Sequence, residues 1–145
     1  MSSLIRVTLP LALLLTVTSL AAAQEGTANC RKTLKDQAAA WNKGDITRFL
    51  QGYRQSPHTV FSSKSNTSVG FASMAARYRK RYPNKKVMGR LTFSELTFKA
   101  LSGDEVLTQG RWHLQRESPK GGRFVLIMRQ EKKNCLVTLD YTTVD

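Results

Sequence analysis

The stretch Arg123-Phe124-Val125-Leu126-Ile127-Met128-Arg129-Gln130 sets Phe124, Leu126 and Met128 on one side of an extended chain and Val125 and Ile127 on the other. A strand that is apolar on both faces belongs in the middle of a sheet, so neighbours are expected on either side. Before it, residues 106–117 form a second extended segment across the wide turn Ser118-Pro119-Lys120-Gly121-Gly122, and residues 91–101 form another that ends at Ser102-Gly103-Asp104. After it, Lys132-Lys133-Asn134 turns the chain into a closing strand over residues 136–143. Turns this short join antiparallel neighbours, and the four segments read as one antiparallel meander.

Upstream, the apolar period changes to that of a helix. Leu34, Ala38 and Trp41 fall at i, i+4 and i+7 and predict a helix over residues 29–41, with Asn29 as its cap. Gly44 ends that helix and Asp45 caps the next, whose Ile46, Phe49, Leu50 and Tyr53 share a face until Pro57 stops it. Residues 59–63 carry the β-formers Val60 and Phe61, and a polar turn follows through Lys64, Ser65 and Asn66. Phe71, Met74, Tyr78 and Tyr82 predict a third helix over residues 71–82, ended by Pro83. Helices first and strands afterward is an α+β order, with the helices covering one face of a curved sheet. Such a sheet wrapped around a helix leaves an apolar concavity with few polar groups, the usual form of a small-molecule pocket.

The 145 residues carry 23 Lys plus Arg against 10 Asp plus Glu, a formal charge of +13, with 41% hydrophobic and 8% aromatic residues. That apolar share excludes a disordered basic tail, and the lack of any repeat at a period of tens of residues excludes a solenoid. Residues 1–23 read as an export signal: Arg6 precedes a mostly apolar run over residues 7–20, and Ala21-Ala22-Ala23 offers small side chains for cleavage before Gln24. The competing reading is an uncleaved anchor, but a span needs about twenty apolar residues and Pro10, Thr16 and Thr18 interrupt this run. Removing 23 residues from 145 leaves residues 24–145, a single domain of 122 residues at +12 once Arg6 has gone with the leader. The expected location is periplasmic or secreted. In an oxidising compartment Cys30 and Cys135 are expected to form one disulfide that closes nearly the whole domain, with two separate thiols as the alternative.

Four local patterns go further: Trp41-Asn42-Lys43-Gly44-Asp45 between the first two helices, Arg77-Tyr78 with Tyr82-Pro83 at the end of the third, Met88-Gly89-Arg90-Leu91-Thr92-Phe93 opening the meander, and Gly110-Arg111-Trp112-His113-Leu114 on its second strand. With the closing Asp140-Tyr141-Thr142-Thr143, the chain from Leu34 on resembles the SnoaL-like and ketosteroid-isomerase-like branch of the nuclear transport factor 2-like superfamily. The resemblance implies an α+β cone, a curved antiparallel sheet wrapped around N-terminal helices in a cystatin-like roll. It also implies homodimers paired through the outer face of the sheet. Members include isomerases, polyketide cyclases and dehydratases alongside small-ligand modules without chemistry, so the fold alone does not choose among them. Relatives tend to close on Asp-His-Thr-Ser, and Tyr141 stands where they place the imidazole.

An isomerase of this fold needs a carboxylate base in the cone and an acidic hydroxyl to hold a developing enolate. Asp36 and Asp45 sit on or between helices, with Asp45 taken up as a cap, Asp104, Glu105, Glu117 and Glu131 fall at turns, and of Glu95 and Asp140 on the strands Asp140 is the candidate base, with Tyr141 beside it. The other reading of Asp140 is a buried carboxylate tied to Arg111 or to a helix end. Trp41, Tyr53, Tyr78, Arg111 and Trp112 are the expected pocket lining. His58 and His113 have no partner at metal-ligand spacing and no glycine-rich phosphate loop occurs, so neither a metal nor a cofactor is expected.

Arg77, Arg79, Lys80, Arg81, Lys85 and Lys86 place six positive charges in ten residues. Arg77, Lys80 and Arg81 can cluster on a helix while Tyr78 and Tyr82 turn to the core, which removes the stacking platform that single-stranded nucleic acid uses. The function these residues support is an exported small-ligand-binding or accessory module that takes a small apolar molecule. One alternative is an isomerase, cyclase or dehydratase using Asp140 and a pocket tyrosine. A second is weak binding of a polyanion or the envelope surface through the basic helix end, without specific nucleic-acid recognition.

Overall fold

The computed structural model describes residues 11–64 and 66–145, with side chains from Gln24 onward. Of the expected leader, residues 1–10 lie outside the described residues, and residues 11–23 are described as helical backbone only. The elements run α1 (Leu11–Lys43), α2 (Ile46–Leu50), β1 (Val60–Ser63), β2 (Asn66–Val69), α3 (Phe71–Arg81), α4 (Lys85–Met88), β3 (Arg90–Ala100), β4 (Glu105–Gln115), β5 (Lys120–Glu131) and β6 (Asn134–Thr142). This is the expected α+β order, on a sheet of six strands rather than four. Among the described residues no helix is long and apolar enough to cross a membrane.

Strand order is β2-β1-β6-β5-β4-β3. The meander from β3 to β6 is antiparallel, as its short turns require, and β5 is an interior strand, as is β4. The β1–β2 hairpin extends the sheet by pairing β1 parallel to β6, which brings Phe61 opposite Asp140. The hairpin was not legible because residues 64–66 read as a turn, whereas β2 begins at Asn66. Likewise β5 begins at Lys120, inside the expected wide turn.

Helix α1 crosses the sheet against β3 and β6. It does not start at Asn29: Ala21-Ala22-Ala23 favours a helix, no proline follows, and the single Gly26 costs only about 1 kcal/mol, so the helix begins upstream. Cys30 and Cys135 form the disulfide between α1 and β6, with a Cα separation of 4.8 Å and both residues fully buried. It closes a loop of 105 residues through one continuous core that includes Leu34, Leu50, Met74, Met88, Met128 and Val137.

Helix α2 is shorter than its sequence period suggests. Asp45 caps it as expected, accepting from the Arg48 amide at 2.9 Å. After Leu50 the backbone tightens, with Gly52 N–H donating to Phe49 and Tyr53 N–H to Leu50, and Tyr53 then forms a parallel bridge with Val137. Gly52 permits this exit: a Cβ there would lie 2.4 Å from Cδ of Gln37 on α1. Tyr53 therefore enters the core from a bridge and not from a helix face.

The segment Lys85–Met88, part of the basic run, forms one helical turn capped by Asn84, whose side-chain oxygen accepts from Val87 N–H at 3.0 Å. Gly89 follows with φ of 68°, and a side chain there would meet the Gln115 carbonyl at 2.6 Å. The turn from α4 into β3 thus depends on glycine.

Two bulges set which side chains face inward. In β3 an extra residue between Ser94 and Thr97 moves the inward set from Leu91 and Phe93 to Leu96 and Phe98, with Glu95 at φ of 52°. In β6 the register to β5 shifts between Val137 and Leu139, leaving Thr138 as the extra residue, and its hydroxyl donates to the Ile127 carbonyl at 3.0 Å.

The disulfide closes so long a loop that Cys30→Ala with Cys135→Ala should lower unfolding free energy by about 2–5 kcal/mol. Urea melts of the two forms measure this, and coincident midpoints would contradict it.

Candidate functional site

The sheet, α1, α2 and α3 enclose a cavity of about 390 Å³. From α1 come Leu34, Gln37 and Trp41, one face of the helix; from the α2 exit, Phe49 and Tyr53; from α3, Tyr78 and Tyr82. The concave sheet adds Phe61, Leu91, Phe93, Trp112, Leu114, Phe124, Leu126 and Val137. Aromatic edges lock the helical wall: Trp41 meets Phe49 and Tyr82 edge-on at 4.9 and 4.7 Å, and Tyr78 meets Phe61 at 5.5 Å. Both indoles spend their N–H on backbone, Trp41 on the Met88 carbonyl at 3.2 Å and Trp112 on that of Thr143 at 3.0 Å. They therefore offer apolar rings to the cavity and no free donor.

Asp140 is the acidic residue of this wall and is 5% exposed. The Thr138 bulge puts it there. Plain alternation from the buried Cys135 and Val137 would have carried Leu139 and Tyr141 inward and Asp140 outward. One extra residue reverses the phase, so Asp140 and Thr142 line the cavity while Leu139 and Tyr141 face out.

The carboxylate is held by hydroxyls. Tyr53 donates to Oδ2 at 2.7 Å and Thr142 to Oδ1 at 2.6 Å. The Tyr78 hydroxyl lies 3.4 Å from that of Tyr53, whose proton is already committed, so Tyr78 is the donor there. Among the described residues no cation pairs with Asp140. Burial accordingly pushes its pKa from 3.8 to about 6, against the opposing pull of the Thr142 and Tyr53 hydrogen bonds. The phenols move the same way: burial first and the Asp140 charge next hold Tyr53 and Tyr78 well above the ordinary tyrosine value. The arrangement is an acid that titrates near neutrality beside two phenols that stay protonated, able to give or take a proton and to donate a hydrogen bond.

Of the sequence-derived lining, Trp41, Tyr53, Tyr78 and Trp112 meet on the cavity, whereas Arg111 and Tyr141 do not. Arg111 is an odd-numbered residue of β4 and faces outward, where it pairs with Asp145, so the expected Arg111–Asp140 tie is absent. Tyr141 is 45% exposed on the outer face and cannot assist Asp140. His113 is also on that face, and His58 is exposed in a turn. The basic run divides: Arg77 and Arg81 border the cavity with Lys64, while Arg79, Lys80, Lys85 and Lys86 are exposed away from it. Among the polar lining residues that the sequence did not flag are Thr142, which holds Asp140, and Gln37, which is buried and donates to the Phe49 carbonyl at 3.1 Å. For Gln37, its position three residues after Leu34, on the apolar face of α1, was the available signal.

Because the folded carboxyl binds its proton more tightly than an unfolded one, Asp140 opposes folding above pH 6 by on the order of 3 kcal/mol and ceases to do so as pH falls toward 4. The stability of the native protein relative to Asp140→Asn should rise by about 2–3 kcal/mol from pH 7.5 to 4.5. Urea titrations of both forms across this range measure it, and a flat difference would contradict the assignment.

No protein-family model matches the chain, and a search of curated proteins finds no match. Solved structures do match. An NTF-2-like protein of unknown function from Shewanella oneidensis MR-1 is 31% identical, with a TM-score of 0.76 over 81% of this chain and 98% of that one. A protein of unknown function with a cystatin-like fold from Nostoc punctiforme is 11% identical, with a TM-score of 0.66 over 82% of this chain and 90% of that one. A candidate aromatic ring hydroxylase from Novosphingobium aromaticivorans is 14% identical, with a TM-score of 0.65 over 81% and 90%. The last two share the fold alone. The first, at this identity and coverage, shows that the chain belongs to the NTF-2-like family.

Proposed function

We propose that the protein is an exported small-ligand-binding module whose cone encloses an apolar, ring-sized molecule and presents Asp140 and Tyr53 to its polar group. The observation that carries this reading is a cavity of about 390 Å³, walled by aromatic rings, that holds one buried carboxyl group. Cavities of roughly 300–1,000 Å³ lined by apolar rings with a few fixed polar groups suit small organic ligands. The buried disulfide supports export, since such bonds persist in oxidising compartments. Cleavage before Gln24 would leave residues 24–43 of α1, which carry the cavity-lining Leu34, Gln37 and Trp41.

A second reading, acid–base catalysis, is favoured by the Asp140 carboxyl with its pKa near 6 beside a protonated Tyr53. A base of that strength abstracts a proton α to a carbonyl; the carboxyl so formed no longer needs the Tyr53 hydrogen, which the phenol then donates to the enolate oxygen. One probe tests both readings. 2-Tetralone should quench Trp41 or Trp112 saturably in the wild type, and Leu126→Trp, which fills the cavity, should weaken binding at least about tenfold; absence of saturable binding would contradict the ligand reading. Under the catalytic reading, exchange of the tetralone α-protons in D₂O should be accelerated and fall at least about a hundredfold in Asp140→Asn. Equal exchange in both forms would remove catalysis and leave binding.

For assembly we propose a homodimer through the outer face of the sheet. Leu139 and Tyr141 are exposed there, at 38% and 45%, and stand opposite the half-buried Ile127 and Val125. Tyr141→Arg should convert a dimer to a monomer in light scattering at micromolar concentration; a monomeric wild type would contradict the proposal.

A further inference from the structure

The rim of the cone differs in charge from its interior. Lys64 follows β1, and Arg77 and Arg81 lie one turn apart on α3, so the β1–β2 turn and the helix bring three cations to one side of the opening. Among the described residues that line the cavity Asp140 is the only acid, and it is already engaged by two hydroxyls. Among the described residues none of the three cations is in an ion pair. Arg77 is nevertheless held in place. Its Nη1 donates to Asn66 Oδ1 at 3.0 Å and to Ser68 Oγ at 3.4 Å, its Nη2 donates to Ser63 Oγ at 3.4 Å, and its guanidinium lies 5.2 Å from the centre of the Phe61 ring. Arg81 lies 5.8 Å from the centre of the Tyr82 ring. Neutral oxygens and ring faces fix these guanidiniums without cancelling their charge, which leaves them able to bind an anion.

We infer that the natural ligand is an amphipathic organic anion, with an apolar ring-sized body inside the cone and a carboxylate or other acidic head held at the rim by Arg77, Arg81 and Lys64. This rests on the small-ligand reading above and names the chemical class of its ligand. The charges also fix the direction of entry: the acidic head stays with the rim cations, away from the buried carboxylate, and the apolar body goes inward. The half-buried Arg77 and the exposed Arg81 also steer anions toward the opening, an effect that salt screens.

The test compares two molecules of equal size, 2-naphthoate and its neutral amide 2-naphthamide, titrated at pH 7.5 against the fluorescence of Trp41 and Trp112. The acid should bind at least about tenfold more tightly, and the preference should shrink as salt is raised from 50 to 500 mM. Arg77→Gln with Arg81→Gln should reduce the acid-to-amide ratio below about threefold. Arg77 also ties α3 to the β1–β2 hairpin, so the single Arg81→Gln, which breaks no hydrogen bond of the fold, should lower the ratio in the same direction by about threefold. Lys86→Gln, the same loss of charge away from the cavity, should leave the ratio unchanged. Equal binding of acid and amide, or a ratio that Lys86→Gln lowers as much as Arg81→Gln, would overturn the anion inference and leave the small-ligand reading intact. Failure of both probes to bind would overturn the two together.

Discussion

A single extra residue, Thr138, decides what the cone contains. By interrupting the alternation of β6 it turns Asp140 and Thr142 inward and sends Leu139 and Tyr141 to the outer face, and its own hydroxyl fastens the bulge to Ile127. The parallel pairing of β1 with β6 then brings Phe61 opposite Asp140, and the bridge between Tyr53 and Val137 delivers a phenol to the carboxylate. Site and outer surface thus follow from the same shift of phase. A regular β6 would have placed a tyrosine in the cavity and an aspartate in solvent.

The second constraint is electrostatic. A carboxyl group buried without a cation is expensive to ionise, and two hydroxyl donors recover part of that cost without adding charge. Tyr53 can serve as one of those donors, with Thr142 as the other, because the same burial and the same negative charge keep its phenol, and that of Tyr78 behind it, protonated. Meanwhile Arg111, the cation that the sequence offered as a partner for Asp140, is used on the opposite face with Asp145. The interior therefore holds a group whose charge changes near neutrality, and the cations that could balance a ligand's charge are confined to the rim.

Much of this was readable in the residues. The apolar texture of β5 gave the meander, the helical spacing of Phe71, Met74 and Tyr78 gave α3, Asp45 was legible as a cap, and the two cysteines gave the disulfide. Elimination among the carboxylates reached Asp140. Periodicity could not carry the reading further, because a bulge is set by pairing with a neighbouring strand and leaves no mark in its own strand's pattern. Hence Tyr141, adjacent in sequence, was assigned to the site that it turns away from. Arg111 is a different case, since no bulge interrupts β4 against β5 and plain alternation with the inward Trp112 already turns it outward. The rim was hidden for a related reason: Arg77 and Arg81 share a run with Arg79 and Lys80, and only the packing of Tyr78 and Tyr82 selects which of them reach the opening. The short β1–β2 hairpin and α4 were too brief to show a period at all.

The inward turn of β6 buries Asp140 among hydroxyls and, among the described residues, leaves it without a cationic partner. A carbon-13 NMR titration of the Asp140 side-chain carboxyl in the intact, disulfide-bonded protein tests it most directly. The account predicts a midpoint near 6, well above that of an exposed aspartate. A midpoint in the ordinary aspartate range near 4 would mean a solvated or cation-paired carboxylate, and would contradict it.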